Sequence, residues 1–173
     1  MKTIKNTRNM CRNAFMRMNI LRRLASLGCP RPEMLDILRQ QVLCMVEQAV
    51  PYWAPLITKA ESDMIERVLK TGLRVIFQDE YTSFSHSLKL ARMKSLKSRR
   101  KDILFKFSKQ AETHEVFSKW FVRNVDTKIT RRKKPQYKPV TTRTSRFARS
   151  SIPVMTLALD WHPLKVFVAP NIH

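Results

Sequence analysis

Residues 47–77, EQAVPYWAPLITKAESDMIERVLKTGLRVIF, decide the fold. Pro51 and Pro55 stop whatever helix precedes them, because a proline ring clashes with the preceding turn and offers no N–H. Thr58, followed three residues later by Glu61, reads as a capping box in which hydroxyl and carboxylate satisfy orphan amides of the first turn. Ile65, Val68, Leu69, Leu73 and Ile76 then recur with a 3.6-residue period, which sets one apolar stripe against a core. Gly72 interrupts that stripe. A mid-helix glycine costs about 1 kcal/mol against alanine, so its expected use is close approach by a neighbouring helix. Trp53 plugs the turn.

Upstream, Leu35, Leu38, Val42, Met45, Val46 and Ala49 mark a second amphipathic helix over residues 33–50, entered after Pro32. A turn of about eight residues lets it pair antiparallel with the helix that starts near Lys59. Residues 1–31 hold eight Lys and Arg and no acid, with Met10, Ala14, Ile20, Leu21, Leu24 and Leu27 at partial helical spacing. An arginine-rich, acid-free start also suits a mitochondrial presequence. The internal-helix reading is favoured, because Gly28 with Pro30 and Pro32 makes a helix stop and restart. Arg22 and Arg23 flank the stripe, placed either to reach phosphates or to solvate a face.

Downstream, Ser83 caps a short helix through Leu90 that carries the lone His86. Residues 89–101, KLARMKSLKSRRK, hold seven basic residues and no acid. Leu96, Ile103, Leu104 and Phe107 face inward at helical spacing, and the reading leaves Lys97, Arg99, Arg100 and Lys101 on exposed turns, suited to backbone phosphates. His114, Val116, Phe117, Trp120 and Phe121 are aromatic-rich. Base stacking is one use for them, and the inner face of a final helical turn is the favoured one.

After Val122 the composition changes to ten Lys and Arg against one acid through Ser150. Such a stretch cannot bury enough to offset its ordering entropy and is expected to be largely disordered. Its densest cluster, Arg131, Arg132, Lys133 and Lys134, suits phosphates or a nuclear localisation signal. Residues 151–173 form a short C-terminal segment whose first half, SSIPVMTLALD with Ser150, is apolar enough to dock. The chain therefore reads as an all-α bundle of about four to six helices over residues 1–121, a basic tail over 122–150, and that segment.

The formal net charge of +21, from 34 Lys and Arg against 13 Asp and Glu, exceeds what solubility requires and calls for a polyanionic partner. Cys11, Cys29 and Cys44 are odd in number and fit no metal-ligand spacing, which argues against a disulfide framework or structural zinc and for buried thiols. No run approaches the roughly 20 apolar residues that span a bilayer. The expected setting is intracellular, nuclear or cytoplasmic. Glu47 and Glu66 invite an acid–base reading, but no His partner, metal signature or glycine loop accompanies them. Ion pairing to nearby arginines is the favoured role. No catalytic residue, metal, cofactor or small-molecule substrate is assigned.

Three blocks carry a resemblance. ILRRLASLG (residues 20–28) comes first, then EQAVPYW with LITKAESDMIERVLKTGLRVIF. EYTSFSHSLKLARMKSLKSRRKDILFKFSKQ (80–110) and TRTSRFARSSIPVMTLALD (142–160) follow. In order and spacing they resemble the thumb and post-thumb region of non-LTR, LINE-like retrotransposon reverse transcriptases, over most of residues 12–160. The sequence departs from that family at Gln48, where an aromatic residue is usual, and at Leu69, where glutamine is usual. The resemblance implies a helical brace for a primer–template duplex, with fingers and palm upstream of Met1. Reverse transcriptases hold two metal ions with palm aspartates, including an adjacent pair; Asp36, Asp63, Asp79, Asp102, Asp126 and Asp160 contain no neighbours. The expected protein is a catalytically incomplete C-terminal fragment that binds RNA, DNA or RNA–DNA hybrid nonspecifically. Apolar stripes left without fingers or palm would be exposed and drive self-association. The alternative is a helical structural or interaction protein whose basic surface meets acidic proteins or membranes.

Overall fold

The first 26 residues set the frame. Thr7, Cys11, Ala14, Met18 and Leu21 fall at helical spacing and are all buried. They form the inner face of α1 (Lys2–Ser26). The computed structural model describes residues 2–124 and 135–160, with side chains from residue 4 onward. Gly28 takes φ +73°, the left-handed geometry that costs glycine nothing, and Pro32 opens the first turn of α2 (Arg31–Ile37). The expected stop and restart between these helices is present.

From α2 the chain runs on through a π-helical stretch, Leu38–Leu43, into α3 (Cys44–Glu47). The wider turn inserts a residue into the stripe, so Leu38, Val42, Leu43 and Val46 are buried while Ala49 is exposed. This helix ends three residues before the expected Val50. Gln48 turns extended and Ala49 adopts φ +53° before Pro51 enters the first turn of α4 (Val50–Trp53). Trp53 is buried, and its indole N–H donates to the Gln48 carbonyl at 2.7 Å, sealing the junction as expected.

The capping box opens α5 (Lys59–Phe77). Thr58 Oγ1 accepts from the Glu61 N–H at 3.3 Å, and Glu61 Oε2 accepts from the Thr58 N–H at 2.8 Å. Thr7 Oγ1 donates to the second Glu61 oxygen at 3.3 Å, so the buried carboxylate also joins α1 to α5. α5 packs most extensively on α1, with α2 and the π-helical stretch alongside. Gly72 is a site of close approach, since a Cβ there would stand 2.5 Å from Leu38 Cδ1.

Gly72→Ala sets about 1–3 kcal/mol of overpacking against about 1 kcal/mol of helix propensity, and a net loss of about 1 kcal/mol is expected. With Leu38 already changed to alanine, the same substitution should stabilise by about 1 kcal/mol. Denaturant titration of the four chains measures the coupling. Additive effects would show that the Leu38 contact is not why glycine stands there.

Ser83 caps α6 (Phe84–Leu90), its hydroxyl accepting the His86 N–H at 3.2 Å. α7 (Leu96–Thr113) follows. Its first two amides, Leu96 N and Lys97 N, each donate at 3.1 Å to the Glu66 carboxylate. A negative group borne by α5 thus satisfies orphan donors at the positive end of α7. Contacts divide the chain into two units within this helix, Met1–Ile103 and Leu104–His173. This differs from the boundary expected at residue 121.

The first unit buries its stripes on one another in a single core. Among the described residues the stripes expected to be left exposed by missing neighbours are therefore largely buried, and the exposed large apolar residues on α1 are Ile4, Met16 and Ile20, with Leu27 just past its end. Of the cysteines only Cys11 is buried; Cys44 is exposed, contrary to expectation. Burial pushes the Cys11 thiol up to about 11, partly offset by nearby Arg100.

In the second unit Ala111, Phe121, Tyr137, Met155 and Leu159 form the core. The chain enters it through α7 and returns as α8 (Ser145–Ala148) and α9 (Ser151–Asp160). Part of the stretch read as a disordered tail is built into this unit. Tyr137 pairs in an isolated antiparallel bridge with Arg123, and Asp160 Oδ1 accepts the Gln136 and Tyr137 amides at 2.7 and 3.1 Å. The Tyr137 hydroxyl donates to Glu112. Burial and then that bond push Tyr137 up to about 12, while the bond holds Glu112 below the usual carboxylate range. Among the described residues there is no strand, and the fold is all-α.

Candidate nucleic-acid interface

α1 is built from seven Lys and Arg and no acid. Its inner face belongs to the core, and the helical repeat sends most of the cations the other way. Lys5, Arg8, Arg12, Arg22 and Arg23 are all exposed. At 100° per residue they fall within about 100° of arc and run about 27 Å along the axis. Arg17 leaves the row, because its Nη1 donates to the Gln41 carbonyl at 3.0 Å. Arg22 donates to Asn19 at 2.7 Å, a contact that steadies the guanidinium and leaves its other donors outward. None of the five forms an ion pair with a described residue. The sequence reading singled out Arg22 and Arg23 and missed Lys5, Arg8 and Arg12, although their 3- and 4-residue spacing was the signal.

The densest charge run behaves differently. Among the four residues assigned to exposed turns of α7, only Lys97 is exposed and Lys101 is half-buried. Arg99 forms a two-pronged pair with Glu47, with Nη2 to Oε2 at 2.7 Å and Nε to Oε1. The Glu47 bonds raise its pKa further above the arginine norm. Arg100 is 5% exposed, its Nη2 donating to Ser62 at 2.6 Å and its Nη1 without a hydrogen bond. Burial lowers its pKa, and Glu66 and Glu47 offset part of that. Arg99 and Arg100 are therefore corrected from phosphate contacts to structural residues. Lys94 is also committed, to Asp102 at 2.6 Å.

Glu47 pairs with an arginine as expected, whereas Glu66 caps α7. The cluster Arg131, Arg132, Lys133 and Lys134 and the segment 161–173 lie outside the described residues. Among the described residues no three His, Cys, Asp or Glu side chains gather closely enough to hold a metal ion. No helix among them is long and apolar enough to cross a membrane.

The chemistry available to the α1 row is electrostatic. Guanidinium forks bind phosphate oxygens in pairs, and the uniform sign of the row suits a linear polyanion rather than a point ligand. Comparison with family models, with curated proteins and with solved structures finds no match to the chain.

Proposed function

We propose that this chain grips nucleic-acid backbone without reading sequence, as a thumb-like helical segment of the kind found in non-LTR retrotransposon reverse transcriptases. The observation that supports this most is the acid-free outer face of α1, with Lys5, Arg8, Arg12, Arg22 and Arg23 in one exposed row. The formal charge of +21 adds a long-range attraction that steers a polyanion to it. RNA, DNA and RNA–DNA hybrid all present the backbone this row fits.

Binding of this kind releases counterions, so salt is the test. If six to ten phosphates are neutralised, affinity for a labelled RNA–DNA hybrid should fall by roughly 10³ to 10⁵ between 50 and 200 mM salt. Anisotropy across a salt series measures it, and a flat response would overturn the proposal.

A second reading draws on Met16 and Ile20, which are exposed on α1 among the same cations, and on Leu27 just past its end. A helical interaction protein for acidic protein surfaces or anionic membranes would use both, and self-association would cover the apolar residues. Sedimentation with anionic vesicles separates the readings. Tight vesicle binding with no hybrid binding would favour the second.

A further inference from the structure

We propose that His114, Phe117 and Trp120 form a stacking platform for an unpaired nucleobase, so that the second unit adds a preference for single strands. This rests on the nucleic-acid reading above and deepens it. The three rings are spaced three residues apart where the chain takes a 3₁₀ turn, Phe117–Trp120, and that helix brings residues i and i+3 into line. The His114 and Phe117 centroids are 4.5 Å apart with planes 25° from parallel, and those of Phe117 and Trp120 are 4.7 Å apart at 34°.

Each end of this column has a different support. Phe117 is half-buried and packs against the Ala111, Phe121 and Tyr137 core, which anchors the middle ring. The Val116 N–H donates to His114 Nδ1 at 3.2 Å and fixes the imidazole. Trp120 stands at one end of the column, 37% exposed, and the nearby residues Val116 and Val122 are 57% and 56% exposed. A tryptophan buries 150–250 Å² in a core, and here about a third of the residue faces water.

Charge identifies the occupant. Lys119 is exposed beside Trp120, and Arg123 keeps 72% of its side chain in water while reaching Glu112 at 3.7 Å. Glu115 is the exposed acid of the same turn, and Glu112 is already engaged by Tyr137, Lys109 and Arg123. A partly exposed ring with Lys119 next to it in sequence and Arg123 three residues on, in a chain of net charge +21, suits a ligand that is flat and aromatic on one side and anionic on the other. A nucleotide has that form. In a duplex both faces of each internal base are covered by neighbours, so the platform acts on single strands and leaves duplex binding to backbone contacts.

The test uses the full chain and compares binding of a 12-nucleotide oligo-deoxythymidine with that of a blunt-ended duplex hairpin. Trp120→Leu keeps an apolar side chain, though a smaller one, without a ring face, and Trp120→Tyr keeps a ring. The leucine variant should lose roughly 5- to 150-fold in single-strand affinity, the range for one stacked base, with duplex affinity unchanged. The tyrosine variant should stay near wild type. Wild-type single-strand affinity in the leucine variant would overturn the platform while leaving the proposed backbone grip intact. A wild-type chain that binds neither oligonucleotide would overturn both.

Discussion

Arg99→Ala is expected to lower the stability of the first unit by about 2 kcal/mol and to leave the salt dependence of nucleic-acid binding unchanged. Two charge-assisted bonds to Glu47 are lost, each side of such bonds contributing about 1.5–3 kcal/mol where water is excluded. The figure is held below the sum of the two bonds because a third of the Arg99 side chain remains in water, which screens the pair. Glu47 is only 16% exposed and would be left without its partner. It is the last residue of α3, directly before the Gln48–Ala49 break, so the pair ties α7 across the junction sealed by Trp53. Arg99→Lys keeps the charge but not the fork and should recover less than half of the loss. Thermal melts of the two variants beside a salt-series titration check this. An unchanged melt with a shallower salt slope would return Arg99 to the phosphate contacts.

Why the sequence assigned Arg99 and Arg100 to the surface is instructive. From Leu96, the inward series at 4, 7 and 11 residues passes through Arg100, Ile103 and Phe107. Position alone places Arg100 on the buried face, and the reading moved it outward because of its residue type. A guanidinium is tolerated there because Ser62 accepts one bond and its long apolar stem fills space as a large side chain would. What the sequence could not supply is the partner. Glu47 lies 52 residues from Arg99 and Glu66 30 residues from Leu96, so neither contact leaves a local pattern.

Local signals were read correctly where their chemistry is local. The Thr58–Glu61 box, the Ser83 cap and the Gly28 stop each involve groups within a few residues, and each is present. Gly72 was legible for a related reason, since glycine in an apolar stripe has few uses besides close packing. Tyr137 was not. Its environment is made by Glu112, Phe121 and Asp160, and its own neighbours are basic and polar enough to resemble a linker. The same limit explains the α7 boundary. Leu104 and Phe107 continue the stripe of Leu96 and Ile103 without interruption, yet they serve a different core.

Replacing Lys5, Arg8, Arg12, Arg22 and Arg23 together by alanine should make the slope of log affinity against log salt shallower by about 4, since each phosphate contact contributes about 0.7–0.9. All five side chains are exposed and alanine is the best helix former, so α1 should persist and the melt should not fall. That separates this change from any that includes Arg99 or Arg100, where lost binding and lost structure would be confounded. Alanine at Arg131, Arg132, Lys133 and Lys134 is the matched comparison, with four charges removed from a stretch without apolar residues. If α1 is the main grip, the five-residue change should lower hybrid affinity at 100 mM salt by more than tenfold beyond the four-residue one. Equal or reversed effects would move the grip to the tail. The α1 row would then be a solvated face, and the exposed Met16, Ile20 and Leu27 beside it would become the better guide to what this unit meets.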